Sequence, residues 1–311
     1  MDDSFKILAL DGGGARGLFI VSTLKQIEER YNIKYYEYFD LIIGTSTGSI
    51  IAAALSSGID IDEVEKLYIE EMDKIFKKDL LKNGIIQSKY DNKYLEKVLK
   101  RVLKNKTFEN VKTDLMITTT NIVNGEPVLI KNKDTKNMKI VEAILASCAA
   151  PVFFDPLVMD EKRIFTDGGL WANNPSLAAI SEALSKTGYN RKIEDIKMLS
   201  IGTGEEIFDH KYENKQWGIV NWAMPLIKIV LQLNSKSTHN IVSGLLSENQ
   251  YVRLDYHAES ILDIDTVDKD VQKKSKKAVN ENKEKLNKFF EKKAKKVGIF
   301  QRIFKKKDKN I

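Results

Sequence analysis

Short apolar runs alternate with helix-like segments along most of this 311-residue chain, and this alternation constrains the fold more than any other feature. The runs have the length and β-branched content of buried strands; they are Phe5–Leu10, Phe39–Ile43, Asp114–Thr119, Val128–Lys131, Arg163–Thr166, Ile196–Ile201 and Tyr251–Leu254. Helical periods lie between most of them, at 17–30, 48–57, 61–77, 91–104, 139–148, 175–187 and 216–247. The sequence therefore predicts an α/β fold, a three-layer α/β/α sandwich with a mostly parallel central sheet.

The composition is that of a folded chain that needs neither disulfides nor a membrane span. Hydrophobic residues make up 42% of the chain and charged residues 30%. Cys148 is the single cysteine, and the first 20 residues lack a secretory signal, so we expect a reducing, cytoplasmic location. The most apolar window, Trp217–Leu233, is shorter than the ~20 residues of a spanning helix, and no transmembrane segment is predicted.

The formal net charge of +6 is unevenly distributed, because residues 269–311 hold 17 Lys and Arg against 5 Asp and Glu. Since no linker or repeat interrupts the first 260 residues, we expect one domain at 1–290 and a basic C-terminal tail at 291–311. Apolar residues among the lysines of the tail suit a peripheral contact with an anionic bilayer, at the inner membrane face. The alternative is a solvated tail beyond about residue 292. Nucleic acid is not an expected partner, since no basic groove with stacking aromatics is evident.

The first predicted strand runs into a glycine-rich turn, Asp11-Gly12-Gly13-Gly14-Ala15-Arg16-Gly17, which precedes a helix. Consecutive glycines let successive backbone N–H groups face one spot at a helix N-terminus, where negative charge is stabilised. Gly12, Gly14 and Gly17 also fit the dinucleotide-binding spacing, but that site needs an acidic residue at the end of the next strand, and Asp40 precedes the strand instead. A dinucleotide site and a purely structural turn remain the alternatives to an anion site.

A second strand-to-helix turn carries the candidate nucleophile, Ser46. The sequence Gly44-Thr45-Ser46-Thr47-Gly48 directly follows the second predicted strand and precedes a helix. Gly-x-Ser-x-Gly is typical of a nucleophile elbow, in which small flanking residues are needed because the serine sits on a sharp, strained turn. A glycine- and serine-rich turn without a catalytic role is the alternative, but the position between strand and helix favours the elbow.

A serine hydroxyl is a weak nucleophile unless a base takes its proton, and two candidates are open. Asp167 ends a predicted strand and begins Asp167-Gly168-Gly169, whose glycines allow close approach to another backbone. It could act alone if held within hydrogen-bond reach of Ser46. The rival is His257, because the order Ser46, Asp167, His257 matches that of an α/β-hydrolase triad.

With these motifs in this order, the chain resembles the patatin-like phospholipase family. Further family-like stretches are Ala146–Phe154, Leu199–Gly204 and Tyr251–Arg253, so the resemblance covers roughly residues 5–290. It implies a serine acyl hydrolase of the phospholipase A or lysophospholipase type, with a Ser–Asp dyad and an acyl-enzyme intermediate. The expected substrates are phospholipids or other lipid esters, and neither a metal nor another cofactor is expected.

The resemblance also implies a role for each motif. Ser46 is the nucleophile and Asp167 the proton acceptor. The oxyanion hole is formed by backbone N–H groups around Gly13, Gly14 and Ala15, in a loop that Arg16 helps to hold. The motif glycines are Gly12, Gly17, Gly44, Gly48, Gly168 and Gly169.

Three further hypotheses concern regulation, substrate and class. Some bacterial members of the family are effectors that small nucleotide signals switch on to degrade membranes, so a small-molecule activator is one hypothesis, although no residue identifies its site. Trp217–Leu233, with Trp222, Met224 and Leu226, is a candidate acyl-chain wall or mobile cover; an ordinary buried helix is the alternative. A non-catalytic dinucleotide- or lipid-binding module is the alternative to an enzyme.

Overall fold

The computed structural model describes residues 4–76, 88–205, 218–258, 265 and 270–290. Within these residues eight strands form one sheet: β1 (Phe5–Leu10), β2 (Leu41–Gly44), β3 (Asp114–Asn121), β4 (Glu126–Lys131), β5 (Leu157–Asp160), β6 (Arg163–Asp167), β7 (Ile196–Ile201) and β8 (Tyr251–Leu254). Strands β3, β2, β1, β7 and β8 are parallel neighbours, whereas β4, β5 and β6 pair antiparallel. The sheet is mostly parallel, as predicted.

Helices cover both faces of the sheet. They are α1 (Gly17–Tyr31), α2 (Tyr35–Tyr38), α3 (Thr47–Ser56), α4 (Ile61–Ile75), α5 (Asn92–Leu103), α6 (Ile140–Ser147), α7 (Gly169–Ala172), α8 (Ser176–Leu184), α9 (Ile219–Leu245) and α10 (Val271–Glu281). Residues 283–290 are also helical.

Alternate residues of the strands belong to two separate cores, because successive side chains of a strand point to opposite faces. In β1, Leu8 and Leu10 pack with α1, α3, α4, α5, α6 and α10, whereas Ile7 and Ala9 pack with α8 and the end of α9. The three-layer α/β/α sandwich is therefore confirmed.

Four of these elements are absent from the sequence prediction, namely β5, α2, α7 and α10, and the first two show why a short or exposed element leaves only a weak local signal. The strand β5 lies at the edge of the sheet, where Val158 is 66% exposed, so it carries no run of buried residues. The helix α2 is a single turn, too short for a helical period to show. Phe39 is the residue that ends this turn, and so β2 begins at Leu41 rather than at Phe39.

The end of the described chain packs onto the domain. Leu286, Phe289 and Phe290 are buried in the core beside α1 and α2. The ring of Phe290 stacks on Tyr31 at 4.5 Å between centroids, and Tyr38 Oη donates to the Phe289 carbonyl at 2.7 Å. The basic tail 291–311 lies outside the described residues. In the described part of the chain, no helix combines the length and apolar character needed to cross a bilayer.

Candidate active site

The register of the sheet brings the ends of β2 and β6 together. The strand β4 occupies one edge of β3, so β2 and β6 must share the opposite edge. Along that shared edge Gly44 pairs with Ile117 and Asp167 pairs with Thr119. The two strands thus approach the same point of β3 from opposite directions. This arrangement places Ser46, two residues after β2, beside Asp167 at the end of β6.

Ser46 has the strained backbone of a nucleophile elbow. Its φ of 51° and ψ of −122° lie in a region that non-glycine residues rarely adopt and that costs about 1–3 kcal/mol. Its N–H donates to Ser147 Oγ at 2.8 Å. A Cβ on Gly48 would collide with the carbonyl of Leu10, so glycine is required where α3 crosses β1. These contacts fix the serine at the carboxyl end of the parallel strands.

Asp167 is a buried carboxylate next to this serine. Its side chain is 5% exposed, and its Oδ1 accepts the N–H of Gly169 at 2.7 Å. Burial raises the pKa of Asp167 from 3.8 to about 6, and hydrogen bonds from Gly169 and the Ser46 side chain oppose this rise. An aspartate with this pKa is ionised at neutral pH and more basic than an ordinary one, which suits a general base.

The glycine-rich turn offers free backbone donors close to Ser46. Within the described part of the chain, the N–H groups of Gly13, Gly14 and Ala15 have no hydrogen-bond acceptor. Gly14 has a φ of 60° and lines the same cavity as Ser46. Unpaired N–H groups at a helix N-terminus are suited to stabilise an anion.

Two arginines hold this turn in place. Arg16 Nε donates to the Gly13 carbonyl at 3.3 Å, and Arg16 Nη1 donates to the Gly204 carbonyl at 3.5 Å. Arg253 binds both carboxylate oxygens of Asp11 at 2.8 and 2.7 Å, and both partners are buried. No role for this pair follows from the sequence motifs. One feature of the sequence does indicate such a pair: Arg253 is a charged residue within an otherwise apolar strand, and a buried charge requires a partner.

The helix α9 contacts both the segment after Asp167 and the start of the glycine-rich turn, through residues that the sequence motifs do not include. Asn234 Oδ1 accepts the N–H of Asn173 at 2.7 Å, in the segment that follows Asp167. One residue further along, Ser235 Oγ donates to Asp11 Oδ2 at 2.8 Å. No local pattern marks Asn234, because its partners lie far away in sequence.

An apolar cavity of about 30 Å³ adjoins Ser46, a volume for about two water molecules. Its apolar walls come from α3, α4, α5 and the segment after α6, and include Ile50, Met72, Ile75, Leu95, Phe153 and Phe154. None of the described residues of the predicted acyl-chain wall, Trp217–Leu233, lines it. Trp222 and Leu226 are instead 41% and 49% exposed on α9, and Trp217 and the Met224 side chain lie outside the described residues.

Neither described histidine reaches the serine. His257 is 87% exposed, and its Nδ1 lies 3.2 Å from a carboxylate oxygen of Glu205. His239 contacts Tyr251, and His210 lies outside the described residues. The nearby thiol of Cys148 is no rival nucleophile, because burial raises its pKa and keeps it neutral.

A serine on a strand-to-helix elbow, at the carboxyl edge of an α/β/α sheet, defines the class of serine hydrolases. Comparison with known families narrows this class. The sequence profile described as patatin-like phospholipase matches residues 8–180, more than half of the chain. The chain belongs to this family and is a phospholipase, which sets aside the alternative of a non-catalytic binding module.

Several characterised proteins are similar to this chain. It is 29% identical over 275 residues to the cUMP-AMP-activated phospholipase of Escherichia coli, an alignment that covers 81% of each protein. It is 34% identical over 238 residues to the cGAMP-activated phospholipase of Vibrio cholerae, covering 66% of each. Among solved structures, VipD from Legionella pneumophila matches with a TM-score of 0.51 and 14% identity, over 92% of this chain and 67% of that one. The likeness to VipD shows the fold alone.

Proposed function

We propose that this phospholipase cleaves fatty-acyl esters through a dyad of Ser46 and Asp167. The observation that carries the proposal is the buried Asp167 carboxylate beside the strained serine, with its pKa raised to about 6. A base of this kind is partly desolvated and close to its proton donor, so it needs no histidine.

The reaction proceeds in two halves. Asp167 takes the proton of Ser46 as Oγ attacks the ester carbonyl, and the N–H groups of Gly13, Gly14 and Ala15 stabilise the oxyanion. Collapse of this intermediate breaks the ester bond, passes the proton from Asp167 to the departing alkoxide and leaves an acyl-serine. Asp167 then takes a proton from water, which attacks the acyl-serine, and the returned proton restores Ser46 as the fatty acid leaves. Loss of a single oxyanion donor typically lowers turnover about 100- to 1,000-fold.

The exposed position of His257 supports the dyad over the triad. His257 pairs with Glu205 and lines a different cavity from Ser46. Fatty-acid release by His257→Ala, measured with cGAMP or cUMP-AMP at saturation, is therefore expected to stay close to that of the unaltered chain. A loss of a hundredfold or more would favour the triad.

The apolar walls beside Ser46 favour a fatty-acyl chain as the group that enters the site. Such a chain is apolar along its length, and Ile50, Met72 and Leu95 offer it an apolar surface directly beside Ser46.

We further infer that a cyclic nucleotide switches this phospholipase on. Two of the most similar relatives, from Escherichia coli and Vibrio cholerae, are a cUMP-AMP-activated and a cGAMP-activated phospholipase. The similarity to the Escherichia coli protein extends over 81% of this chain, well beyond the catalytic motifs.

The test is fatty-acid release from mixed phospholipid vesicles, with and without cGAMP, cUMP-AMP and EDTA. We compare the unaltered chain with Ser46→Ala, with Asp167→Asn and with Asp160→Asn, an exposed control. The proposal expects EDTA-resistant release that the first two substitutions abolish and the control retains. Release that survives Ser46→Ala would overturn the mechanism, and release that neither nucleotide stimulates would overturn the switch.

A further inference from the structure

A polar cavity of about 470 Å³ lies between α9, β8 and the helical residues 283–290. Its volume falls within the range of about 300–1,000 Å³ that is typical of small-molecule sites. Neither Ser46 nor Asp167 lines it, so it is separate from the site of ester cleavage.

The walls of this cavity combine cationic groups with flat rings. Lys236, Arg253 and Lys285 supply positive charge, and Lys285 has no acidic partner in the described part of the chain. The His239 ring lies 5.7 Å from the ring of Tyr251, and burial lowers the pKa of His239, which keeps the imidazole neutral. Cationic groups bind phosphates, and aromatic rings and neutral imidazoles stack on or hydrogen-bond to bases.

The acidic residues of the cavity leave room for an anionic ligand. Glu205 is paired with Lys236 at 3.2 Å, and Asp255 is paired with Arg253 at 2.6 Å. Glu248 is exposed. Two of the three described carboxylates that line the cavity, those of Glu205 and Asp255, are thus paired with cations, and a phosphate can replace them on Lys236 and Arg253.

The cavity extends to the back of the glycine-rich turn. It adjoins a narrow cavity of about 30 Å³ lined by Asp11, Arg16 and Asn173. The two cavities share Ser235 and Lys236 of α9, together with Glu205 and Asp255. Arg253 lies at this junction, because it lines the larger cavity and binds Asp11. Only the side chain of Arg253 therefore separates a ligand in the cavity from Asp11, the first residue of the glycine-rich turn.

A second connection runs through Gly204. Its N–H donates to Asp255 Oδ1 at 2.8 Å, and its carbonyl accepts Arg16 Nη1. The next residue, Glu205, lines both cavities and is the partner of Lys236. A change in the pairing of Lys236 or Asp255 therefore displaces Gly204 or Glu205, and with them the hydrogen bond to Arg16. Arg16 in turn donates to the Gly13 carbonyl.

We propose that this cavity binds the cyclic dinucleotide that switches the enzyme on, and that the bound phosphates reposition the glycine-rich turn through Arg253 and Gly204. This inference rests on the activation proposed above. Phosphate oxygens accept hydrogen bonds from Arg253 and Lys236 in place of their carboxylate partners, and the side chains of Asp11 and Glu205 move as a result. The glycine-rich turn then has two conformations, one that stabilises the oxyanion and one that does not. Activation follows because the ligand binds the protein more tightly when the turn is in the first conformation.

The experiment measures binding separately from turnover. Calorimetric titration of the full chain carrying Ser46→Ala uses cGAMP and cUMP-AMP, with AMP and pyrophosphate as smaller probes. The cavity variants are Lys236→Ala, His239→Ala and Lys285→Glu. The matched control is Lys283→Glu, which makes the same charge change on the same helical segment but does not line the cavity.

The proposal expects each cavity variant to bind the activating dinucleotide at least tenfold more weakly. In the chain that retains Ser46, half-maximal stimulation of fatty-acid release then needs at least tenfold more dinucleotide. The control keeps the affinity and the stimulation of the unaltered chain. Melting temperatures verify that each variant is folded, and the exposed Lys236 and Lys285 keep the test valid if His239→Ala does not fold.

The two proposals fail in different ways. If a dinucleotide binds and activates the unaltered chain, and all three cavity variants retain its affinity, the site lies elsewhere and the activation stands. If neither dinucleotide binds or activates the unaltered chain, both proposals are overturned. Equal binding of AMP or pyrophosphate would overturn the assignment to a cyclic dinucleotide, since a general phosphate site would explain it.

Discussion

At the residue scale, the proposed chemistry depends on how deeply Asp167 is buried away from water. An exposed aspartate is a weak base with a pKa near 4, whereas burial of Asp167 raises its pKa to about 6. The hydrogen bonds from Gly169 and Ser46 keep the rise from being larger, since they stabilise the ionised form. The residue therefore remains a carboxylate at neutral pH while gaining basicity.

The pH dependence of activity follows directly from this pKa. Protonated Asp167 cannot accept the proton of Ser46, so kcat/KM is expected to rise with pH through a midpoint near 6 and to level off above it. Fatty-acid release from vesicles between pH 4.5 and 8 measures the profile, and circular dichroism verifies the fold at each pH. A midpoint near 4 would mean that the working base is an exposed carboxylate instead.

The same burial predicts that Asp167→Asn stabilises the protein while it removes activity. A pKa raised from 3.8 to about 6 means that the folded state binds the proton more tightly, so the contribution of Asp167 to stability is largest below pH 3.8 and is lost as the pH rises through about 6. Asparagine avoids this loss, which corresponds to at most about 3 kcal/mol at pH 7. Urea unfolding at pH 7 and pH 4 measures the gain, which should be largest at pH 7.

The matched control for this substitution is Asp160→Asn. Asp160 is exposed and paired with Arg163 on a neighbouring strand, so its replacement should leave stability at pH 7 close to that of the unaltered chain. If Asp167→Asn were destabilising at pH 7, the carboxylate would be contributing favourable contacts that outweigh its burial.

At the scale of elements, β1 and β8 are joined by a buried ion pair. Arg253 on β8 binds Asp11 at the end of β1 from across the intervening strand β7. The pair positions the start of the glycine-rich turn, and β1 and α9 meet there because Ser235 also binds Asp11. Asp11 thus links the sheet, the turn and α9.

Removal of one member of this pair is expected to be costly. Arg253→Met leaves Asp11 buried without its counter-charge, which lowers the free energy of unfolding by about 3–5 kcal/mol. The control Arg163→Met breaks an exposed pair with Asp160 and should have little effect. Urea unfolding of both variants measures the difference, and equal effects would contradict a structural role for the buried pair.

At the scale of the whole molecule, the described chain ends as part of the main core. Phe290 is 2% exposed and packs against Tyr31 and Tyr38. This packing is consistent with a domain that extends to about residue 290, with the basic tail beyond it.

Substitution of Phe290 and deletion of the basic tail are therefore expected to have different effects on stability. Phe290→Ala removes a buried ring and should lower the free energy of unfolding by about 3–5 kcal/mol. Deletion of residues 291–311 should leave the melting temperature unchanged and weaken sedimentation with anionic vesicles, because the deleted segment is rich in lysine. Thermal unfolding and vesicle sedimentation measure the two effects, and a deletion that unfolds the protein would move the domain boundary.

Much of the site was predictable because its motifs are local. The strained turn at Ser46 needs Gly44 and Gly48 within five residues, and the free N–H groups of Gly13 and Gly14 need only consecutive glycines. The pairing of Arg253 with Asp11 was not predictable in this way, since strand order depends on the whole sheet. The walls of the cavity beside Ser46 were not predictable either, because they come from helices that lie far apart in sequence.

By itself, the sequence determined the alternation of strands and helices, the elbow and the family, because periodicity and glycine spacing act over a few residues. Only the tertiary structure decided that β2 and β6 share one edge of β3, which brings Ser46 to Asp167. It also decided the basicity of Asp167 and the exposure of His257. These properties depend on how much water and which distant side chains surround a group, and no local pattern carries that information.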